Sequence, residues 1–395
     1  MKAAALSGQW YTDAEELEVK VLGGGKQMPP AVGLQEMQKL VERKRELAEK
    51  LMVQYAREYD TVRRGKGDLK LLEMSQSLVH QLTRLLPDRK LKSLIQRPLD
   101  KLPETKDGYS LLLFWHWEDC LKQRYEKFVM SLEDAVKDML PNLKDKAMKT
   151  VFILLKSKSE QERRLLTALV NKLGDPERKA ASSAAYLLTC LLSAHPNMKM
   201  VVIDEVDSFL FRPHVGLRAK YQAVNFLSQI LLTHKGDGPK IAKRLVDVYI
   251  ALFKVLMSSS SVTKGDTNSK HGKKSGENGK TKGRKNKVND SNPQGNHEVD
   301  PSAGSDLEMD SRILSALLTG VNRALPYVAS SEVDDIVEVQ TPILFRLVHS
   351  ENFNVGVQAL MLLYQISTKN QIASDRFYRA LYAKLLSPAA VTFIK

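Results

Sequence analysis

The stretch that decides the fold reads Lys179-Ala-Ala-Ser-Ser-Ala-Ala-Tyr-Leu-Leu-Thr-Cys-Leu-Leu192, and it returns in outline as Ala219-Lys-Tyr-Gln-Ala-Val-Asn-Phe-Leu-Ser-Gln-Ile-Leu-Leu232. Each stretch begins next to an arginine, Arg178 or Arg218, and ends in a pair of aliphatic residues. The interval is about forty residues, a period at which helix pairs recur in repeat proteins and bury their apolar stripes only against neighbouring pairs. The recurrence predicts a surface for binding other macromolecules.

Apolar residues at three- and four-residue spacing predict further helices on both sides of this repeat. The helices predicted before residue 258 are Leu34–Tyr59, Leu69–Leu86, Arg89–Ile95, one opening at Leu111, Leu121–Leu140, Leu143–Lys156, Glu160–Leu173, Pro176–Ala194, Asn197–Leu210, Leu217–His234 and Lys240–Met257. Short connections make consecutive helices antiparallel, and no run alternates as a strand does. The predicted fold class is therefore all-α, a HEAT/armadillo-like helical-repeat solenoid interrupted by a disordered basic insert.

The chain divides into four predicted segments. Residues 1–33 contain Gly23-Gly-Gly25 and Pro29-Pro30, which break regular structure, and are predicted to be an extended N-terminal arm. Residues 34–257 form a helical-repeat domain. Residues 258–306 contain no Leu, Ile, Met or aromatic residue and are predicted to be a disordered basic linker. Helical patterning resumes over 307–395, which we expect to be a continuation of the repeat domain that is cut short at its C-terminus.

Charge is concentrated in the predicted linker. Of a net charge of +14, the stretch from Lys264 to Lys287 carries nine basic residues against two acidic ones, Asp266 and Glu277, or +7. The overall charge is typical of proteins that work near nucleic acid, but its concentration in this stretch weakens that argument and leaves the rest of the chain only mildly basic. No apolar run reaches the roughly twenty residues that cross a bilayer, so we expect no membrane partner.

Several motifs resemble one protein family. They are Leu173-Gly-Asp-Pro-Glu-Arg-Lys-Ala180, His195-Pro-Asn-Met-Lys199, Phe209-Leu-Phe-Arg-Pro213, Arg218-Ala-Lys-Tyr221, Ile313-Leu-Ser-Ala-Leu-Leu-Thr-Gly-Val-Asn-Arg323, Leu344-Phe-Arg-Leu-Val-His-Ser350 and Ser374-Asp-Arg-Phe-Tyr-Arg-Ala-Leu-Tyr382. Together they resemble the CCAAT-binding-factor family and, within it, plant nucleolar-complex assembly factors. Family members are longer than this chain.

The resemblance implies a scaffold in the nucleus and nucleolus. It implies binding of early precursors of the large ribosomal subunit, with their pre-rRNA, and pairing with a second nucleolar-complex assembly factor of similar fold. The alternative function is a DNA-binding transcription regulator of the CCAAT-binding-factor type. A transport adaptor built from helical repeats is a third hypothesis.

Two groups of basic residues are candidates for contacts. The first, in the predicted linker, is interpreted as a solvated tether, a targeting segment or an RNA contact, and comprises Lys270, Lys273, Lys274, Lys280, Lys282, Arg284, Lys285 and Lys287. The second lies in the family-like motifs as possible rRNA or partner contacts, namely Arg212, Arg218, Lys220, Arg323, Arg346, Arg376 and Arg379. The competing interpretation of the second group is structural ion pairing with Asp175, Asp204, Asp207 or Asp375.

Motifs for catalysis are weak or missing in the sequence. Gly23-Gly-Gly-Lys26 is followed by Gln27, Met28 and two prolines, which does not match a phosphate-binding loop. No His or Cys spacing suits zinc, and no Gly-x-Ser-x-Gly elbow occurs. The sequence predicts no enzyme, no cofactor, no metal site and no small-molecule substrate.

Overall fold

The computed structural model describes residues 10–23, 34–60, 82–265, 301–329, 341–350, 352–370 and 375–388. Within those ranges every regular element is helical. The α-helices are α1 (Trp10–Leu22), α2 (Leu34–Asp60), α3 (Lys106–Lys137), α4 (Pro141–Ser157), α5 (Glu162–Asn171), α6 (Arg178–Ala194), α7 (Lys199–Leu210), α8 (Leu217–Ser228), α9 (Gly238–Gly265), α10 (Pro301–Ala324), α11 (341–348), α12 (Phe353–Asn370) and α13 (Asp375–Leu385). Short 3-10 turns lie at Leu94–Gln96, Leu99–Lys101, Lys172–Gly174, Pro196–Met198 and Leu325–Tyr327.

The chain forms two compact units, and each is a stack of helices. Unit 1 comprises Met1–Lys172 with Glu177–Pro196, and unit 2 comprises Leu173–Pro176 with Asn197–Lys395. In unit 1, α3 packs on α4 and α5, and α4 packs on α5 and α6. In unit 2, α7 packs on α8 and α9, α8 and α9 both pack on α10, and α10 packs on α12. Contacts between consecutive and next-but-one helices are how stacked repeats bury their apolar stripes, so the predicted all-α helical-repeat class is confirmed.

Helix α3 differs from its prediction because it is one continuous helix. The sequence was expected to start a new helix at Leu121, yet no proline or glycine interrupts the chain between Tyr109 and Lys137, so the helix continues. It begins after Thr105, whose hydroxyl oxygen accepts a hydrogen bond from the Gly108 N–H at 3.2 Å. This N-cap satisfies one of the free amides of the first turn.

Two other local predictions are wrong. The helix predicted to start at Pro176 starts instead at Arg178, and Asp175, which precedes the proline, is buried. The chain instead makes a 3-10 turn at Lys172–Gly174 before the helix starts. Residues 89–95 were expected to form a helix but hold only the first residues of the turn at Leu94–Gln96.

The predicted extended arm is also wrong over Trp10–Leu22, which form helix α1. Trp10 is 1% exposed, and its indole Nε1–H donates a hydrogen bond to the carbonyl of Leu85 at 2.8 Å. Helix α1 packs on α3, where Leu17 and Val21 join the apolar cluster around Leu111 and Trp115. Burial of this face stabilises a helix whose own sequence signal is weak.

The predicted linker boundaries also need correction. Helix α9 runs on to Gly265, past the predicted end at 257, and α10 begins at Pro301 instead of 307. Helical structure therefore extends into both ends of the predicted linker. Residues 266–300, with all eight basic candidates of that segment, lie outside the described residues.

Hydrogen bonds and ion pairs around the buried carboxylate of Glu118 connect residues 89–97, which precede α3, to that helix. The carboxylate of Glu118, 1% exposed, accepts hydrogen bonds from the Arg89 guanidinium at 2.6 Å, from the Arg97 guanidinium and from the Lys92 backbone N–H at 2.7 Å. Arg97, 3% exposed, also reaches Glu18 on α1 at 2.9 Å. A buried charge is tolerated only when it is paired in this way, so the network holds α1 and the 89–97 stretch in one arrangement.

Candidate functional site

Three of the arginines predicted as contacts line one cleft in unit 2. The cleft has a volume of about 400 Å³ and lies between α11 with the residue that follows it and α13. Helix α11 contributes Arg346, and α13 contributes Arg376 and Arg379. The other lining residues are Pro342, Phe345, His349, Ala380 and Ala383. Residues at three- and four-residue spacing share a helix face, so each helix presents its basic side chains on the same side as this lining.

The three arginines differ in what holds them. The guanidinium carbon of Arg376 lies 4.5 Å from the centre of the Phe345 ring, so the cation is stacked on an aromatic face. Arg379 makes an ion pair with Asp375 at 2.7 Å, but both side chains are about 80% exposed, and exposed pairs contribute little. Arg346 is exposed and has no carboxylate within ion-pair distance among the described residues. Counting only the residues that the structure describes, the cleft therefore carries three guanidinium groups and one paired, exposed carboxylate.

The remaining candidates on the folded part lie apart from the cleft lining. Arg212 pairs with Glu205 at 3.4 Å and lies 5.9 Å from the Phe209 ring centre, a local structural arrangement. Arg218 is exposed on α8 and Lys220 is partly exposed there, while Arg323 is exposed on α10.

The ion-pairing interpretation of the candidates fits only in part. Asp375 does hold Arg379, but Asp204 and Asp207 are engaged by Arg244, at 2.8 and 2.7 Å. Arg244 comes from α9 and was missed because nothing in the sequence indicates that α9 packs on α7. The arginines that line the cleft therefore differ from Arg244, whose ion pairs join α9 to α7.

The sequence analysis also missed Phe345 and His349 as neighbours of the arginines. Both occur in the motif quoted from Leu344 to Ser350, and the four-residue spacing from Phe345 to His349 is the one signal that could have placed them on one face with Arg346. No pattern in the sequence indicates that α13 lies next to that face of α11.

The three guanidinium groups determine the chemistry that the cleft offers. A guanidinium group presents parallel N–H donors that match two oxygens of a phosphate or carboxylate, and Arg376 also stacks on the Phe345 ring. Over the described ranges, no group of three His, Cys, Asp or Glu side chains is close enough to hold a metal ion. None of the helices in the described part of the chain is both long and apolar enough to span a bilayer.

The stacked helices define the class as a helical-repeat protein, and its surface carries an arginine-lined cleft. The CBF/Mak21 family model matches residues 356–394, which include α13 and most of α12. The chain is 54% identical to the protein SLOW WALKER 2 of Arabidopsis thaliana, over 100% of this chain and 41% of that protein. It belongs to the CBF/Mak21 family, which confirms the resemblance found in the sequence.

Two further relatives agree with this assignment. The ribosome biogenesis protein NOC1 of Chaetomium thermophilum is 43% identical over 72% of this chain and 26% of its own length. The human CCAAT/enhancer-binding protein zeta is 38% identical over 80% of this chain and 26% of its own. The chain therefore spans about two fifths or less of the length of these relatives.

A solved structure of yeast importin-beta (Kap95p) matches 98% of this chain and 48% of that chain, at 12% identity and a TM-score of 0.32. A TM-score this low does not establish a shared fold, and the all-α class is assigned from the helices described above.

Proposed function

We propose that this chain is a non-catalytic scaffold in ribosome biogenesis, acting in the nucleus and nucleolus. It holds early large-subunit precursors, with their pre-rRNA, and a partner assembly factor. Relatives whose names denote a ribosome biogenesis protein, in Chaetomium, and a nucleolar complex protein, in Drosophila, support the process and the compartment. The single observation that carries the RNA part of the proposal is the cleft that brings Arg346, Arg376 and Arg379 together.

In this proposal the cleft binds the phosphate backbone of rRNA. Arginine suits the task because its planar group engages two phosphate oxygens at once. Arg379 exchanges its exposed partner Asp375 for a phosphate, while Arg376 keeps its stacking on Phe345. Phosphate contacts position a nucleic acid without reading its bases, so the expected binding has little sequence preference and falls steeply with salt.

The basic residues between Lys270 and Lys287 add to this as a tether, a targeting segment or a direct RNA contact. Lysines on such a stretch would raise affinity through charge alone. Deleting 266–300 should therefore lower the affinity for RNA and leave the helical stack folded.

The proposed contact with the partner assembly factor uses the outward face of α13. Tyr378, Tyr382 and Leu385 are 55%, 63% and 56% exposed, whereas Phe377 and Ala380 on the opposite face are buried. Exposed tyrosines supply large contact areas at low conformational cost and are enriched at protein interfaces. Tyr378→Ser with Tyr382→Ser should reduce co-purification of the partner, while RNA binding through Arg346 and Arg376 continues.

The RNA proposal is tested by charge removal in and outside the cleft. The first variant carries Arg346→Gln and Arg376→Gln, and the matched control carries Arg218→Gln and Lys220→Gln, two candidates that do not line the cleft. Binding of a fluorescein-labelled single-stranded RNA is followed by anisotropy as a function of salt.

If both cleft arginines contact phosphates, the slope of log K against log salt should become shallower by about 1.4, since each contact to a single strand contributes about 0.7. The control should keep the slope of the original chain. Equal slopes for the cleft variant and the control would contradict the assignment of the cleft. Tagged chain isolated from cells should also recover pre-rRNA.

The second candidate function is a DNA-binding transcription regulator of the CCAAT-binding-factor type. It is favoured by the name of the human relative, CCAAT/enhancer-binding protein zeta. Competition between a CCAAT duplex and scrambled duplexes separates the two proposals. A preference of about a thousandfold for one duplex sequence would favour the regulator, because specific sites exceed non-specific DNA by at least about that factor.

A further inference from the structure

A second basic cleft lies in unit 1, and no sequence motif pointed to it. It has a volume of about 420 Å³ and is formed where the C-terminal part of α3 packs beside α5. Its charged lining consists of Lys137 and Glu133 from α3, and Arg163, Arg164 and Lys172 from α5 and the turn that follows it. The uncharged lining is Val136, Thr167, Ala168 and Asn171.

Helix α5 shapes this cleft as a trough. Its lining residues, with Lys172 of the turn that follows it, form two rows at four-residue spacing, and they are Arg163, Thr167 and Asn171 in one row and Arg164, Ala168 and Lys172 in the other. Thr167 and Ala168 are the middle residues of the two rows, and three of the four end residues are basic. Eight residues of helix rise about 12 Å, so the trough is about that long.

Two of the cations are available to a ligand. Arg163 is exposed and has no carboxylate at ion-pair distance within the ranges that the structure describes. Lys137 pairs only with Asp134, at 3.5 Å, where the two side chains are 71% and 80% exposed, so water and salt weaken that pair. Arg164, in contrast, is fixed by Glu133 through two hydrogen bonds of 3.1 and 2.8 Å. The Arg164–Glu133 pair lines the trough as a fixed wall. Arg163 and Lys137 supply the positive charge that is available to a ligand in the trough.

We propose that this trough is a second binding site for the phosphate backbone of single-stranded RNA. A strand carries one phosphate per about 3.4 Å of a stacked helix, so a trough of about 12 Å accommodates about three successive phosphates. An acidic peptide fits less well, since Val136 and Ala168 are the only apolar lining residues and leave no pocket for a large anchor side chain. The inference rests on the proposal that this chain binds RNA and adds to it a separate contact in unit 1.

The test uses the whole chain with Lys137→Gln and Arg163→Gln. The matched control carries Lys146→Gln and Lys179→Gln, which remove the same charge from exposed positions of unit 1 outside the cleft. Circular dichroism checks that both variants keep the original helical signal. Anisotropy with labelled single-stranded RNA should show a salt slope shallower by about 1.4 for the trough variant, from about 0.7 per lost contact, and an unchanged slope for the control.

The outcomes separate this inference from the proposed function. If the trough variant behaves like its control while Arg346→Gln with Arg376→Gln loses affinity, the trough is not an RNA site and the proposed function stands. If the original chain shows no salt-dependent binding to RNA, both fail. If the trough variant keeps its affinity for RNA but loses binding to a labelled polyglutamate peptide, the site belongs to an acidic protein and the inference is overturned.

Discussion

Replacing Glu118 with alanine should destabilise unit 1 more than any change to a surface carboxylate. Glu118 and Arg97 are 1% and 3% exposed, and the carboxylate also holds Arg89 and the Lys92 backbone N–H. Glu118→Ala leaves the Arg97 cation buried without its main partner, and breaking a buried pair from one side costs about 3–5 kcal/mol. For a unit of this size, at about 2–4 °C per kcal/mol, the melting temperature should fall by about 6–20 °C.

The measurement is thermal and urea unfolding followed by circular dichroism, with Asp134→Ala as the control. Asp134 lies on the same helix but is 80% exposed and pairs with Lys137 at only 3.5 Å, so its loss should cost less than about 1 kcal/mol. A free energy of unfolding that is the same for both variants would refute the reasoning, because it would mean that the buried network contributes no more than an exposed pair.

The same network makes stability depend on pH. Burial pushes the pKa of Glu118 upward, but the hydrogen bonds and charges of Arg89 and Arg97 together outweigh burial and hold the pKa below its ordinary value of 4.5. Because the folded-state pKa is the lower one, the stabilisation is fully present above pH 4.5 and is lost as the pH falls through the folded-state value. Glu118→Gln should remove this part of the acid dependence.

Two further predictions concern packing. Trp10→Phe removes the hydrogen bond to the Leu85 carbonyl and should cost about 1–3 kcal/mol in urea unfolding, whereas Tyr11→Phe, at a partly exposed position beside it, should change stability little. Gly174→Ala places a Cβ 2.9 Å from the Phe209 ring and 3.3 Å from the Ala219 Cβ, so it should lower the free energy of unfolding by about 1–3 kcal/mol. The control Gly216→Ala adds a Cβ with no atom within 4 Å and should stay within about 0.5 kcal/mol of the original chain. Equal urea-unfolding midpoints for the two glycine variants would contradict the close packing at Gly174.

The repeat that opens the sequence was a sound guide to the helices because its signals are local. Residues 179–192 fall within α6 and residues 219–228 within α8, as their apolar spacing predicts. The second helix ends at Ser228, earlier than the predicted His234. The prediction extended too far because no proline or glycine marks the observed end in the sequence. Glycines near helix ends also differ in a way that the sequence does not show, since Gly236 has a left-handed backbone, with φ of 62°, but Gly174 does not.

The failures have a common physical origin. Helix α1 was missed because its stability comes from burial of Trp10 and its neighbours against residues that lie 75 or more positions away, which a local pattern cannot show. The sequence also does not show which candidate arginines form structural ion pairs and which line a cleft. Arg212 and Arg379 look alike in the sequence, yet one packs beside Glu205 and the other lines a cleft.

The amino-acid sequence by itself determined that this chain is helical, repetitive and basic, and it indicated the family, because helix periodicity, breakers and motifs are properties of neighbouring residues. Only the tertiary structure decided which cations stay available, since that depends on which helix faces meet. Arg346 and Arg376 come together across a cleft, Arg163 and Lys137 across another, and Arg97 is buried against Glu118. Apolar periodicity shows that one face of a helix must be buried. The tertiary packing determines which helix covers that face, and therefore which charged side chains remain exposed and available to a ligand.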